Sequence, residues 1–269
     1  MSRKLWIFPI VMQLAAGCVT ADSGSTMRAL EGLAASDSKP FVVVGSTVSN
    51  TVDKGQGVLI STRGHVLSVG HLNWCESKGC YSEKFNVSLR TTDNVKVPEG
   101  YTHDHRTLFS DKEGTAFREF RYPAKLIKHE GSRFLDNKDL SVFKAEAKTP
   151  FPKMDFYSED KPEINVGDVL YLCHYIWPTK NAEPTFIING ITIVGVVQTS
   201  SGMQYLARGY TRWGSSGGAI LKDGRLIGIQ SAAYTINAPE IGEVPSGMTS
   251  FHLVWRSMFD DYLGENDKR

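Results

Sequence analysis

Residues 211–220 read TRWGSSGGAI, and this stretch presents one small hydroxyl, that of Ser216, among glycines immediately before an apolar segment. Glycine adopts positive φ and carries no Cβ, so the backbone N–H groups around Ser216 can converge on the point where a substrate oxyanion would form. Ser216 is therefore the candidate nucleophile. The competing interpretation is a plain Gly/Ser turn between two strands.

A candidate base stands upstream of this serine. A serine hydroxyl is a weak nucleophile at neutral pH and needs a base within hydrogen-bond reach, itself oriented by a third group. Residues 56–61 (QGVLIS) and 64–71 (GHVLSVGH) predict two short strands joined by a turn, and His71 stands where the second strand ends. The other six histidines have no comparable setting, and we expect them to be ordinary residues.

The candidate acid lies in residues 136–144, which read DNKDLSVFK. Asp139 opens a strand-like alternation of apolar and polar residues, and an aspartate at the start of a strand can be buried against the base. Asp136 is the rival, but its neighbours form a charged turn of solvated character. We therefore expect Asp139 to orient His71.

Taken in chain order, His71, Asp139 and Ser216 resemble the triad of the trypsin-like (chymotrypsin-fold) serine proteases, and most closely that of the bacterial HtrA or Deg branch. Three motifs carry the resemblance: GVLI (57–60) with GHVLSVGH (64–71), DLSVF (139–143) and GSSGGA (214–219). GRLIGIQS (224–231) is a weaker fourth motif. Together they span about residues 40 to 256, and their joint order and spacing make the resemblance specific.

The resemblance implies an all-β fold: two six-stranded antiparallel β-barrels with a C-terminal α-helix. We expect the first barrel over residues 39–150, the second barrel and the helix over residues 151–269, and the active site in the crevice between them. The helical spacing of apolar residues over 254–263 indicates the terminal helix. No PDZ-like domain is expected to follow it.

The same resemblance implies a role for each residue. Ser216 would attack a peptide carbonyl, His71 would take and later return its proton, and Asp139 would fix the imidazole tautomer. The backbone N–H groups of Gly214 and Ser216 would form the oxyanion hole, and Ser231 would donate a hydrogen bond to Asp139. The expected function is a serine endopeptidase acting on a protein or peptide substrate. The alternative is a catalytically inactive protease-fold binding module.

Residue 215 departs from the pattern of the digestive members of that family. They carry an aspartate there, which pairs with an amino terminus released on activation, whereas this sequence has Ser215. A hydroxyl carries no charge for that pairing, so activation of this kind is not expected. GSSGG also fits the G-x-S-x-G elbow of α/β-hydrolases, but that fold needs its acid and histidine after the serine, and a helix where this sequence predicts a strand.

The substrate pocket is less visible in the sequence. By the family's pattern its residues would be Tyr210, Thr211, Arg212, Ser231, Ala232, Ala233 and Ser250. No aspartate stands where a trypsin-type pocket has one, which argues against a basic P1 residue, and we expect a small or apolar P1. Arg212 leaves an acidic P1 open.

The first 18 residues are an expected signal peptide: a basic start (MSRK), an apolar run (LWIFPIVMQL) and a small-residue end (AAGC) at Cys18. That end resembles the lipobox of bacterial lipoproteins, so Cys18 is a candidate lipidation site and membrane attachment point. Export with cleavage after Ala21 and no lipid is the alternative. Either way we expect an exported domain in the cell envelope, the periplasm or the medium, with residues 19–38 as a linker.

Three cysteines remain after Cys18. Cys75 and Cys80 would close a small disulfide loop just after His71, which is stable in an oxidising compartment. Two alternatives stay open: both are free, or Cys173 pairs with one of them. Residues 76–122 are interpreted as an insertion longer than the core fold requires.

Composition fits one globular unit, with 269 residues, 25 glycines and a net charge of +1. The sequence has no basic run interleaved with aromatics, no phosphate-binding loop, no zinc cysteine pair and no EF-hand pattern. We therefore expect no nucleic-acid partner, no cofactor and no metal. His103 and His105 lie in a polar loop without a third ligand nearby and are expected to be polar surface.

Overall fold

Strands dominate the structure, as the alternating apolar segments predict. The computed structural model describes residues 23–36, 38–46, 54–75, 80–81, 84–93, 109–110, 116–130, 139–146, 150–177, 184–199, 202–212, 214–238 and 242–263. Its strands in chain order are β1 (Ser38–Ser46), β2 (Lys54–Leu59), β3 (His65–Ser68), β4 (Trp74–Cys75), β5 (Cys80–Tyr81), β6 (Lys84–Asp93), β7 (Phe109–Ser110), β8 (Ala116–Glu130), β9 (Leu140–Ala145), β10 (Val169–Ile176), β11 (Thr185–Thr199), β12 (Gly202–Gly209), β13 (Ala219–Lys222), β14 (Arg225–Ala238) and β15 (Gly242–Leu253). Helix α1 spans Ser23–Ala35, and 3₁₀ turns span Gly70–Asn73 and Arg256–Phe259.

The first barrel closes through antiparallel neighbours in the order β1-β2-β3-β9-β8-β6. Its interior cluster includes Val42, Leu59, Val66 and Phe143, all buried, and such β-branched, aliphatic and aromatic side chains pack well on a pleated surface. β3 pairs with β2 on one side and with β9 on the other. The end of β3 therefore lies beside the start of β9.

The second barrel follows the order β10-β13-β14-β15-β12-β11, and the pairing of β10 with β11 closes it. The short strand β7 adds to the other edge of β11. Leu172, Ile191, Ile220 and Phe251 lie in its interior cluster. The predicted all-β fold of two six-stranded antiparallel barrels is confirmed.

The barrels are joined by a further apolar cluster. Phe41 and Leu67 from the first barrel belong to it together with Tyr175 and Phe186 from the second. The rings of Phe41 and Phe186 stack with their centroids 5.0 Å apart. Buried aromatic surface of this kind strongly stabilises the interface between the two barrels.

Residues 23–35 correct one prediction, because they form helix α1 instead of belonging to a linker over residues 19–38. Leu30 is fully buried in the cluster between the barrels, and Met27 and Leu33 pack against that cluster. The Thr26 hydroxyl donates a hydrogen bond of 2.8 Å to Asp223. The many small and polar residues hid the helix, since only these few apolar side chains form its buried face. Within the described residues, no helix has the length and apolar content needed to cross a membrane.

The carboxyl-terminal segment is a second correction. The predicted α-helix over residues 254–263 is one 3₁₀ turn, Arg256–Phe259, preceded by an extended Trp255. A further turn follows, in which the Leu263 N–H donates to the Phe259 carbonyl. The apolar spacing was correct, since Phe259 and Leu263 are buried. In so short a segment tertiary packing decides the backbone, because a helix of this length does not sustain itself.

Part of residues 76–122 forms the wall of the first barrel. β6 and β8 pair from Lys84↔Lys125 to Asp93↔Ala116, so this part of the predicted insertion belongs to the first barrel. Residues 94–108 and 111–115 lie outside the described residues.

The cysteines are placed in two regions. Cys75 and Cys80 are register partners across the β4–β5 pair, and their bridge stays a prediction. Cys173 is a free, buried thiol, so the alternative in which it pairs with one of them is wrong. Burial raises the pKa of Cys173 well above its usual value, which keeps the thiol protonated and unreactive.

Candidate active site

The first barrel brings His71 and Asp139 together. His71 lies in the 3₁₀ turn after β3, and Asp139 directly precedes β9, the neighbour of β3. The His71 backbone N–H donates to Asp139 Oδ1 at 2.7 Å, and His71 Nδ1 lies 2.7 Å from Oδ2. Two contacts from one residue to one carboxylate fix both the position and the tilt of the ring.

Asp139 is buried and its charge is compensated by hydrogen bonds. Burial by itself raises the pKa of Asp139, but the hydrogen bonds and charge of His71 and the hydrogen bond from Ser231 together lower it below its usual value. The Ser231 hydroxyl donates to Oδ2 at 2.7 Å, as predicted. The ionised carboxylate accepts hydrogen bonds only, so it favours the tautomer in which the proton of the His71 ring lies on Nδ1.

Ser216 lies at the same crevice, on the loop between β12 and β13. Its hydroxyl donates a hydrogen bond of 3.3 Å to the Ser231 carbonyl. Ser231 therefore contacts Ser216 through its backbone and Asp139 through its side chain. Ser231 thus connects the His71–Asp139 pair to Ser216, although through two separate groups and not through one unbroken series of hydrogen bonds.

The loop between β12 and β13, which carries Ser216, depends on its glycines. Gly214 has φ +89° and Gly217 has φ +88°, a region that side chains rarely allow. A Cβ on Gly217 would lie 1.8 Å from the carbonyl oxygen of Gln56. No other residue fits there, which explains why glycine follows the serine.

The backbone N–H groups of this loop divide into two sets. The N–H of Ser215 donates to Arg212, that of Gly217 to Gln230, and that of Gly218 to the Ser215 carbonyl. None of the hydrogen bonds found within the described part of the chain uses the N–H of Gly214 or of Ser216. These two N–H groups are the predicted oxyanion donors.

A second histidine lies behind the same loop, and sequence reasoning missed its position. His174 on β10 is fully buried, with Nδ1 2.8 Å from the Ser215 hydroxyl and Nε2 2.9 Å from Asn189 Oδ1. The Ser215 oxygen also accepts the Arg212 N–H at 3.1 Å. Burial lowers the pKa of His174 to about 4, against a smaller opposite effect of the Asn189 hydrogen bond. A neutral ring thus supports the residue directly before Ser216.

Gln56 was missed as well. Its side chain reaches from β2 in the first barrel to backbone groups of Tyr175 and Gly214 in the second. For His174 the available signal was a polar residue inside an apolar strand, VLYLCHYI, whereas Gln56 stands between two glycines in KGQGVL and gave no such signal. Buried polar groups need partners, but sequence does not name them.

The predicted pocket residues fall into buried and accessible sets. Ala232 and Ala233 are half-buried on β14 and are register partners of Ser250 and Thr249 on β15. The hydroxyls of Thr211 and Ser250 are buried without a partner in the described residues. Two further members of the predicted set differ in exposure, namely half-buried Tyr210 and exposed Arg212.

Several predicted residues lie outside the described part of the chain, namely Cys18, His103, His105 and Asp136. Among the described residues, no three His, Cys, Asp or Glu side chains cluster as metal ligands do. A cavity of about 290 Å³ lies beside residues 153–159, Arg225 and Arg256, and none of its lining residues belongs to the site.

Comparison with solved structures identifies the class of this fold. The chain matches the HtrA-type protease AlgW with tripeptide at a TM-score of 0.53 and 19% identity, covering 85% of this chain and 60% of that one. It matches Deg5 at a TM-score of 0.51 and 14% identity, covering 84% of this chain and 91% of that one. No protein-family model matches the sequence, and neither does a curated protein.

These likenesses define the fold. The chain has the trypsin-like, two-barrel fold of serine proteases. More narrowly, the fold is the one seen in the HtrA-type protease structures, and the chain spans about 60% of the length of the AlgW chain.

Proposed function

We propose that this protein is an exported serine endopeptidase that hydrolyses peptide bonds through His71, Asp139 and Ser216. One observation carries the proposal: Asp139 accepts hydrogen bonds from His71 and Ser231, and the Ser231 carbonyl accepts from Ser216, beside two backbone N–H groups that no hydrogen bond in the described residues uses. A nucleophile, a base, an orienting acid and an oxyanion site are the parts that acyl transfer requires.

The residues have distinct roles in the reaction. Ser216 Oγ attacks the scissile carbonyl carbon while its proton passes to His71 Nε2, and the carbonyl oxygen becomes an oxyanion held by the N–H groups of Gly214 and Ser216. The tetrahedral intermediate collapses, the C–N bond breaks, and the leaving amine takes the proton from His71. Asp139 stays ionised and stabilises the imidazolium.

Water completes the cycle. A water molecule gives a proton to His71 and attacks the acyl carbon, which again places negative charge in the oxyanion site. The ester bond to Ser216 then breaks, and Ser216 recovers its proton from His71 as the carboxylic acid product leaves. No metal or cofactor enters this scheme.

A second candidate is a protease-fold binding module without activity. One observation favours it: the hydrogen bond that the structure gives from the Ser216 hydroxyl goes to the Ser231 carbonyl, and none within the described residues goes to an imidazole. Catalytic hydrogen bonds are often long or misaligned in the absence of substrate and tighten when substrate binds. This orientation therefore favours the binding module only if it persists when a substrate is bound.

Fluorophosphonate labelling of the full-length protein decides between the two candidates, with Ser216→Ala as the control. Labelling that is lost in the variant supports the endopeptidase, and a peptide-library digest of the same samples then supplies the P1 preference, for which we propose small or apolar residues. An unlabelled wild-type protein contradicts the endopeptidase and supports the binding module.

Export and lipidation through Cys18 are part of the proposal, and they rest on the sequence of residues 1–18. Because α1 begins at Ser23, only residues 19–22 would separate the lipid from the folded domain. At about 3.5 Å per residue, such a connection would hold the domain close to the membrane. Cys18→Ala should move the protein from the membrane fraction to the soluble fraction, and unchanged partitioning contradicts lipidation.

A further inference from the structure

Gln56 occupies the junction between the two barrels. Its Nε2 donates to the Gly214 carbonyl at 2.7 Å and to the Tyr175 carbonyl at 2.6 Å, while its Oε1 accepts the Tyr175 N–H at 2.7 Å. Its own backbone N–H donates to the Ser216 carbonyl at 2.8 Å. The side chain is almost fully buried, so water does not substitute for these partners.

The chemistry of these partners selects an amide. Two carbonyls require two donors, and one N–H requires an acceptor, which is the set that a glutamine side chain offers. A glutamate would oppose two carbonyl oxygens with a charged oxygen, and a methionine would remove the side-chain hydrogen bonds to all three backbone groups. Each such loss costs about 1–3 kcal/mol.

We propose that Gln56 is a positioning residue that sets the oxyanion hole, an inference that rests on the proposed function. Gln56 holds the Gly214 carbonyl with its side chain and the Ser216 carbonyl with its backbone N–H. No hydrogen bond in the described part of the chain uses the N–H groups of these two residues. Holding both carbonyls fixes the peptide planes that follow these N–H groups and restricts rotation of the loop. The donors are then aligned before substrate arrives, which is the condition for efficient oxyanion stabilisation.

Gln56 also connects the loop to the strand that leads to the base. Ser68, at the end of β3, donates from its hydroxyl to the Gln56 carbonyl. Gly57, the residue after Gln56, is the register partner of Ser68. His71 follows three residues after Ser68. One residue of the first barrel therefore sets the spacing between the base and the nucleophile loop of the second barrel.

The test compares Gln56→Met and Gln56→Ser with Gln204→Met in the full-length protein. Gln56→Ser leaves room for water to hydrogen-bond the carbonyls that lose the amide. This variant should therefore fold even if Gln56→Met does not. Gln204 hydrogen-bonds His252 on the second barrel, takes no part in the hydrogen bonds described for Gln56 and the Ser216 loop, and controls for loss of a glutamine. The readouts are the rate of fluorophosphonate labelling, and kcat and KM on a quenched peptide chosen from the wild-type library digest.

We expect kcat and the labelling rate to fall about 10- to 100-fold in both Gln56 variants, less than the 10²–10³ lost with a direct donor, while KM changes little. The control should match the wild type. Folded Gln56 variants with wild-type kcat and labelling overturn the inference, as does a loss confined to KM.

A separate readout covers failure of the proposed function. If the wild-type protein is neither labelled nor active, the endopeptidase proposal fails, and the position of the loop is read from the amide NMR signals of Gly214 and Ser216. Shifted or broadened signals in Gln56→Ser, with unchanged signals in Gln204→Met, support the positioning role. Unchanged signals in both variants overturn it.

Discussion

Two histidines flank the loop that carries Ser216, one on each side, and their imidazole rings have opposite properties. His71 lies in the crevice with 16% of its side chain exposed, and its Nδ1 meets the Asp139 carboxylate. His174 lies behind the loop, fully buried, and its partners are the neutral Ser215 hydroxyl and Asn189 amide. The Asp139 carboxylate would compensate a positive charge on the His71 ring, whereas the Ser215 and Asn189 partners of His174 are neutral.

The difference shows that partner charge and burial, and not residue type, decide what a histidine does. A carboxylate stabilises an imidazolium, so His71 can carry positive charge during a reaction. Burial among neutral groups lowers the pKa of His174 to about 4, so its ring stays a fixed acceptor and donor near neutral pH. His71 is suited to move protons, and His174 to hold Ser215 in place.

The strongest test of this contrast replaces each histidine in turn. His71→Ala should lower kcat by about 10⁵-fold or more, because the nucleophile loses its base. His174→Gln should lower kcat by less than about 10²-fold, because the ring touches no substrate and acts only on the position of Ser215. Both are measured on the same quenched peptide. Equal losses from the two substitutions would mean that the contrast is wrong.

Asp139→Asn should have the next largest effect. The amide keeps the shape of the side chain, but it neither stabilises the imidazolium nor selects the Nδ1–H tautomer, so kcat should fall about 10⁴-fold. Asn137→Asp, a substitution of similar size in the same chain segment, controls for a general effect of altered charge. A loss below about 10-fold would remove Asp139 from the proposed role.

His174 also predicts a dependence of stability on pH. Its pKa is lowered from 6.5 to about 4 in the folded protein, so between these values the unfolded state binds a proton that the folded state does not. Stability should therefore fall as pH drops through this window, by about 2–3 kcal/mol at pH 4.5 relative to pH 7. Urea unfolding at both pH values measures it.

His174→Gln is the matched control for that experiment. The variant lacks this titration but keeps the other buried histidines, including His65 and His252. It should lose less stability on acidification than the wild type, by the same 2–3 kcal/mol. Equal losses would show that His174 is not held neutral.

Ser231→Ala should have the smallest effect. It removes one hydrogen bond to Asp139 but leaves the two contacts from His71 and the backbone carbonyl that Ser216 reaches. A hydrogen bond to a charged group contributes about 1.5–3 kcal/mol, much of which the remaining contacts and water replace, so kcat should fall about 10-fold. Ser246→Ala is the control, because it removes another serine hydroxyl, one that donates to the Tyr234 carbonyl from β15. A loss of about 10³-fold or more would contradict this supporting role of Ser231.

The sequence predicted the elements of this site better than their surroundings. Short alternating strands, the glycines around Ser216 and the aspartate at the start of a strand have local signatures, and the two-barrel fold they indicated is the observed one. Helix α1 was missed because its apolar face is narrow, and the terminal helix was overestimated because apolar spacing does not distinguish an α-helix from a 3₁₀ turn.

What the sequence alone determined was the candidate chemistry: a hydroxyl, an imidazole and a carboxylate in a given order, with glycines where positive φ is needed. Residue type and local spacing carry that information directly. The tertiary structure decided which buried polar groups meet. Gln56 reaches Gly214 across 158 positions, and His174 reaches Ser215 across 41. Such pairs form only when the barrels close and dock, because a buried donor takes the partner that packing brings within reach, and no local pattern specifies it.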